Sequence, residues 1–171
     1  LKAEGLSILE PSAGSGNLIS LLSEKNNVTA VEMNTLAAHV LKAKNPNTKI
    51  YNTWAEKFFH DNTQQFDVVI MNPPYNAYVS LFKGVYKDKE TTYTNYFMRE
   101  SSKVLKNGGY LVALIPHTFL KQADTFAKSR LAENGMELIN AYRVPSNIFE
   151  GDSAIAIDVV EVIIAGSGEA S

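Results

Sequence analysis

Phe66-Asp67-Val68-Val69-Ile70-Met71-Asn72-Pro73-Pro74-Tyr75 is a short apolar run, rich in β-branched residues, that stops at a turn signal. Such a run, bounded and without alternation, reads as a strand buried on both faces of a parallel sheet. Its end carries the chemistry. Pro73 and Pro74 each lack an N–H and fix φ near about −65°, and each drives the residue before it towards extended backbone, so Asn72 to Tyr75 is stiff. In an open α/β sheet, ligands bind outside the carboxyl ends of the strands. This end offers the Asn72 amide, a proline-locked carbonyl and the Tyr75 ring: two acceptors for the two N–H bonds of a planar amino group, and a face to stack on. Asn-Pro and Pro-Pro are also ordinary loop punctuation. The chain upstream decides between the two.

Upstream, Leu6-Ser7-Ile8-Leu9-Glu10 reads as a strand, Pro11-Ser12-Ala13-Gly14-Ser15-Gly16-Asn17 as a turn, and Leu18 to Leu22 as the apolar face of a helix. Gly14 and Gly16 permit positive φ and let a ligand approach the backbone, and a helix N-terminus leaves unpaired N–H groups facing it. The turn lacks the Lys-Ser/Thr of a P-loop and the third glycine of a dinucleotide fingerprint. A plain tight turn needs one glycine, so this concentration of small residues favours ligand binding. A second strand, Val28 to Glu32, ends in an acid placed to accept from both hydroxyls of a ribose. Met33 follows, where it suits an adenine face. Taken singly, Glu32 would be a solvated strand end and Met33 core. A helix from Asn34 to Lys44 has an Asn N-cap. The strand Thr48 to Thr53 then leads to Glu56, placed to accept from the adenine amino group of the same ligand. Trp54, Phe58 and Phe59 read as core or pocket wall.

Composition narrows the class. The 171 residues, 45% of them hydrophobic, suffice for one domain with a full core. No run approaches the roughly twenty apolar residues of a membrane span, and no signal peptide opens the chain. Zero cysteines exclude disulfides and thiolate metal sites and fit a cytoplasmic protein. A formal net charge of −2 argues against a self-sufficient nucleic-acid binder, because phosphate affinity comes mainly from Lys and Arg. The chain begins at Leu1 almost directly on its first strand, and we expect a segment of something longer.

Downstream of Tyr75, the stretch Asn76 to Thr92 interleaves Tyr78, Phe82 and Tyr86 with Lys83, Lys87 and Lys89. That mixture suits a nucleic-acid backbone and displaced bases, and equally a solvated loop. A helix is expected from Tyr93 to Leu105, closed by Asn107-Gly108-Gly109 as a C-cap signal. Tyr110 to Ile115 is an apolar strand, and Phe119 to Asn134 a further helix. His117 reads as a satisfied polar residue, and His39 and His60 have no partners at ligand spacing, so no metal is expected. Met136 to Val144 and Ala154 to Ala165 read as a closing antiparallel pair, and Gly166 to Ser171 as a tail.

The motif Glu10-Pro11-Ser12-Ala13-Gly14-Ser15-Gly16, followed in order by Glu32, Glu56 and Asn72-Pro73-Pro74-Tyr75, resembles the S-adenosylmethionine-dependent N6-adenine DNA methyltransferases whose cofactor motif precedes the catalytic motif. The resemblance runs from Leu6 to about Ala165. It implies a three-layer, Rossmann-like α/β fold with a seven-stranded, mostly parallel sheet and one antiparallel strand, and a catalytic domain over residues 1–165. It implies S-adenosylmethionine as cofactor, S-adenosylhomocysteine as product and no metal. Glu10, Pro11, Ala13, Gly14, Gly16, Glu32, Met33, Glu56 and Asn72 are the implied cofactor residues, and Asn72, Pro73, Pro74 and Tyr75 the catalytic ones. Tyr75 and Phe149 would clamp a flipped adenine, with Lys83 and Lys87 against the substrate. The family usually carries a target-recognition domain and a further cofactor-contacting segment before the glycine motif. We therefore expect DNA to bind weakly to this chain alone, with a further domain or subunit choosing the target in a prokaryotic or phage setting. Asn-Pro-Pro-Tyr also occurs in glutamine methyltransferases, which keeps RNA adenine and protein glutamine open as substrates. An inactive cofactor-binding partner subunit is the alternative of another class.

Overall fold

Val68 and Ile70 face one side of their strand, Val69 and Met71 the other, and all four are buried. This is what a run without alternation requires of a strand covered on both faces. The computed structural model describes residues 3–22, 24–74, 93–116, 132–133, 135–144 and 160–168. In chain order the elements are β1 (Ser7–Glu10), β2 (Asn27–Val31), α1 (Thr35–Lys44), β3 (Lys49–Tyr51), α2 (Ala55–Asp61), β4 (Phe66–Met71), α3 (Tyr93–Lys103), β5 (Leu105–Pro116), β6 (Met136–Arg143) and β7 (Val160–Ser167).

The sheet order is β3-β2-β1-β4-β5-β7-β6. Strands β3, β2, β1, β4 and β5 run parallel, and β7 lies antiparallel between β5 and β6. Ile8, Ala30, Val68 and Ile70 pack with Ile19 and with Leu41 of α1. On the opposite face, Leu9, Val31, Val69 and Met71 pack with Phe58 and Phe59 of α2 and with Tyr96, Phe97 and Met98 of α3. The result is three layers, as expected of the α/β class. The chain winds outward in opposite directions from β1 and β4, which are neighbours. Their carboxyl ends therefore frame the crevice where such sheets bind ligands.

Local signals account for much of this. Asn34 caps α1, its side-chain oxygen accepting from the Ala37 N–H at 3.0 Å. Lys42, in the last turn of that helix, donates to the carbonyls of Pro46 at 2.7 Å and Thr48 at 3.0 Å. Lysine is favoured at that end of a helix, where carbonyls lack partners.

Other expectations are corrected. Leu18 to Leu22 yields a single 3₁₀ turn at Ile19–Leu21, because Leu22 is already extended (φ −90°, ψ 151°) and leads the chain back towards β2. Strand β3 is Lys49–Tyr51 rather than Thr48 to Thr53. Asn107-Gly108-Gly109 does not close α3, which ends at Lys103, but forms an irregularity inside β5. Phe66 pairs with Leu105 and Val68 with Tyr110, so the intervening residues loop out of the ladder. Gly108 has φ 76°, and a Cβ on Gly109 would lie 2.9 Å from the carbonyl oxygens of Asp67 and Lys106. Strand β7 continues through Gly166 and Ser167, which pair with Tyr110 and Met136, so the expected tail starts further on. The expected helix Phe119 to Asn134 falls almost wholly outside the described residues. Among the described residues no helix is long and apolar enough to cross a membrane.

Candidate active site

The turn after β1 is built on two left-handed glycines, Gly14 (φ 54°) and Gly16 (φ 89°). The Ala13 N–H donates to the Val31 carbonyl at 2.9 Å, which hangs the turn over the end of β2. Glu32, just past that end, accepts from the Gly14 N–H at 2.7 Å through one oxygen and from the Asn34 N–H at 2.7 Å through the other. Its carboxyl group thus joins the glycine turn to the head of α1. Each oxygen retains a second lone pair for another donor. Met33 beside it is 60% exposed, an apolar surface left facing outward.

Glu10 is 1% exposed at the end of β1. Its Oε1 accepts from the Ser12 N–H at 3.1 Å and lies 3.3 Å from the Ser12 hydroxyl. Burial pushes its carboxyl group up from 4.5 to about 8; the two Ser12 hydrogen bonds oppose that rise, and the charge of Glu32 adds to it. The same hydroxyl lies 3.2 Å from the Asn72 carbonyl oxygen. The glycine motif and the Asn-Pro-Pro motif therefore touch. Pro73 is buried, Asn72 and Pro74 are exposed, and the Thr94 hydroxyl donates to the Pro74 carbonyl at 3.4 Å.

Glu56 sits in the first turn of α2 and is 4% exposed. The Tyr93 hydroxyl hydrogen-bonds to it. Burial first, and then the neighbouring Glu56 charge and that hydrogen bond, hold the phenol above its ordinary range. The other carboxyl oxygen, Oε1, is buried and has no hydrogen-bond partner among the described residues. A buried oxygen in that state is short of a donor.

These features fit S-adenosylmethionine: an orphaned acceptor for an adenine amino group, a carboxyl group already set at the end of β2 for a ribose diol, and glycine backbone open to close approach. The structure joins Glu10, Ala13, Gly14, Gly16, Glu32 and Asn72 in one network. It places Glu56 apart from them, after β3, against the start of α3. Tyr75, Lys83, Lys87 and Phe149 lie outside the described residues. Among the described residues no cluster of His, Cys, Asp and Glu has the makings of a metal site. The sequence did not single out Ser12, Tyr93 or Thr94. Ser12 lies within the glycine motif and was discernible there, whereas Tyr93 and Thr94 acquire their roles only when the fold sets α3 against the end of β4.

Residues 14–149 match the family model of the Eco57I restriction-modification methylases. The chain belongs to that family. Modification methylase CviBIII of Paramecium bursaria Chlorella virus NC1A is 30% identical over 122 residues, which cover 67% of this chain and 32% of that protein. Defense against restriction protein B of Escherichia phage P1 is 22% identical over 156 residues, covering 89% of this chain and 7% of the phage protein. This Eco57I-family domain thus spans a third or less of these curated relatives. Among solved structures, a protein from Listeria monocytogenes described as a class I S-adenosylmethionine-dependent methyltransferase superposes with a TM-score of 0.80 at 15% identity, covering 99% of this chain and 56% of the other. A methyltransferase from Pyrococcus furiosus gives 0.66 at 18% identity, with 98% and 78% covered. At such identities the structural likeness establishes the methyltransferase fold.

Proposed function

We propose that this domain transfers the methyl group of S-adenosylmethionine to the exocyclic N6 of adenine in DNA, with the base extruded into a site headed by Asn72-Pro73-Pro74-Tyr75. The observation that carries it is the contact between the two motifs, Ser12 Oγ to the Asn72 carbonyl at 3.2 Å, which sets a cofactor turn against a segment built to accept an amino group. When bound, S-adenosylmethionine supplies an electrophilic methyl group on a sulfonium centre. Glu32, Met33, Glu56 and the Gly14–Gly16 backbone would hold it.

An aromatic amine is a poor nucleophile, because its lone pair is delocalised into the ring. Accepting its two N–H bonds at the Asn72 side-chain oxygen and the Pro73 carbonyl favours the tetrahedral form in which the lone pair points at the methyl group. Positioning and these fixed dipoles supply the acceleration; the thioether would leave as S-adenosylhomocysteine and the surplus proton of the methylated amino group would pass to water, so no general base is required on the chain. The amino group is out of reach in a duplex, so the base must be flipped. Tyr75 and Phe149 are assigned as its stacking platforms and Lys83 and Lys87 as backbone contacts. The net charge of −2 and the short span relative to the curated relatives support target choice by a further domain or subunit. On this reading the protein works in the cytoplasm, in a prokaryotic or phage/plasmid context.

The test is calorimetric binding of S-adenosylmethionine, with Glu32→Ala as control, followed by transfer of labelled methyl to unmethylated DNA, RNA and a glutamine peptide. Binding that depends on Glu32, with label on N6 of DNA adenine, supports the assignment. Label on RNA or peptide alone overturns it.

A further inference from the structure

Ser12 belongs to the cofactor turn, yet its hydroxyl reaches out of it, 3.2 Å from the Asn72 carbonyl and 3.3 Å from Glu10 Oε1. A serine hydroxyl has one proton to donate. Here two acceptors compete for it. We propose that Ser12 is a positioning residue, whose hydroxyl proton holds the Asn72 carbonyl and thereby aims the neighbouring Pro73 carbonyl at the incoming amino group. The inference rests on the reading of Asn72 to Tyr75 as the catalytic segment.

The leverage follows from backbone geometry. The Asn72–Pro73 peptide is planar and the φ of Pro73 is locked by its ring. Once the Asn72 oxygen is held, ψ of Pro73 is the only soft torsion left between it and the Pro73 carbonyl. The far side is held as well, by the Thr94 hydroxyl on the Pro74 carbonyl at 3.4 Å. Two hydroxyls thus occupy the carbonyls of residues 72 and 74. Among the described residues the carbonyl between them, that of Pro73, has no donor. On the catalytic reading it is the carbonyl that receives the N–H of the incoming amino group.

Glu10 decides where the Ser12 proton goes. Among the described residues, Glu32 at the end of β2 is the charged group that acts on it. The adjoining end of β4 brings Met71 and Asn72, the turn brings Ser12 to Gly16, and α1 brings Leu41 to this side of the sheet; none of these ionises. With its carboxyl group pushed up to about 8, Glu10 is neutral at pH 7, a weak acceptor that leaves the proton to Asn72. Ionised, it draws the hydroxyl into a charge-assisted bond, and the Ser12 hydrogen bond to the Asn72 carbonyl is given up. Methyl transfer should therefore fall as pH rises through about 8.

Two measurements test this on the full chain. In the first, Ser12→Ala lowers kcat about tenfold, an effect of roughly one hydrogen bond, keeps the S-adenosylmethionine Kd within about twofold, and abolishes the alkaline fall. Ser12→Thr, which keeps the hydroxyl, restores both rate and pH profile. In the second, which needs no turnover, the ¹³C shift of the Asn72 carbonyl titrates near pH 8 in the wild type and is flat in Ser12→Ala. A Ser12→Ala variant with wild-type kcat and pH profile, one that loses cofactor affinity in place of rate, or a carbonyl shift that ignores pH overturns the inference. Asn72→Ala separates the two levels. Lost transfer in that variant with normal Ser12→Ala means the catalytic reading stands and the role of Ser12 falls, and full transfer means the catalytic reading itself falls.

Discussion

Strands β1 and β4 are joined at both ends through a serine with an acidic side chain against it, and the two acids behave in opposite ways. Ser7 meets Asp67 itself at the amino end, and Ser12, beside Glu10, meets the Asn72 carbonyl at the carboxyl end. At the amino end, Asp67 accepts from the Ser7 N–H at 2.8 Å, from the Ser7 hydroxyl at 2.9 Å and from Lys106 Nζ at 3.1 Å. Those donors hold its carboxyl group below the ordinary 3.8, the Ser7 N–H contributing most. At the carboxyl end, Glu10 has a serine N–H and hydroxyl too, but burial outweighs them and the charge of Glu32 adds to it, so it rises to about 8. Similar groups give a carboxylate that titrates only on the acid side in one place and a group that titrates at mildly alkaline pH in the other. What separates them is water and a lysine. The amino end has the chemistry of a fastener, the carboxyl end that of a site.

The largest effect should come from deleting the group for which the carboxyl end is built. Asn72→Ala is expected to cut methyl transfer about a hundredfold or more, the scale of losing a preorganised polar contact to the reacting centre, while calorimetry finds cofactor binding retained. Next is Gly16→Ala. Its Cβ would fall 2.5 Å from Leu41 Cδ1 with φ at 89°, so a loss of about 1–3 kcal/mol in chemical denaturation is expected.

The pH dependence of stability sharpens the contrast further. The folded value of Glu10 is raised, so its contribution is fully present below 4.5 and is lost as pH rises towards about 8. That of Asp67 is lowered, so its contribution is present above 3.8 and is lost as pH falls below that value. Thermal melts should therefore show Glu10→Gln removing a decline between about pH 5 and 8, and Asp67→Asn removing one on the acid side. The smallest effect belongs to Lys106→Ala. Its partner is partly exposed, so a loss of a few tenths of a kcal/mol that fades in high salt is expected, with methyl transfer unchanged.

Asn34 as a cap, Phe66 to Met71 as a two-faced strand and the glycine turn were legible in the sequence because each is a local signal acting over a few residues. Asn107-Gly108-Gly109 misled because glycine serves a helix terminus and a strand irregularity by the same conformational freedom. Leu18 to Leu22 misled because an apolar helical pattern does not reveal where the chain must turn back. Glu32 and Glu56 were singled out by their places at or beyond strand ends, and Glu10 through the motif that carries the family resemblance. Their states were not, since these depend on partners distant in sequence: Ser12 meets Asn72 across 60 positions, and Glu56 meets Tyr93 on another helix. Contacts of that kind follow from topology, which a linear pattern encodes only indirectly.

The buried Glu56 Oε1 has a consequence for selectivity among purines. An acceptor held in the interior with no donor discriminates by what it refuses, because a ligand that brings another lone pair leaves both oxygens desolvated and opposed. If this oxygen meets the cofactor base, the inosine counterpart of S-adenosylmethionine, with a carbonyl where adenine has its amino group, should be turned away although it fills the same volume.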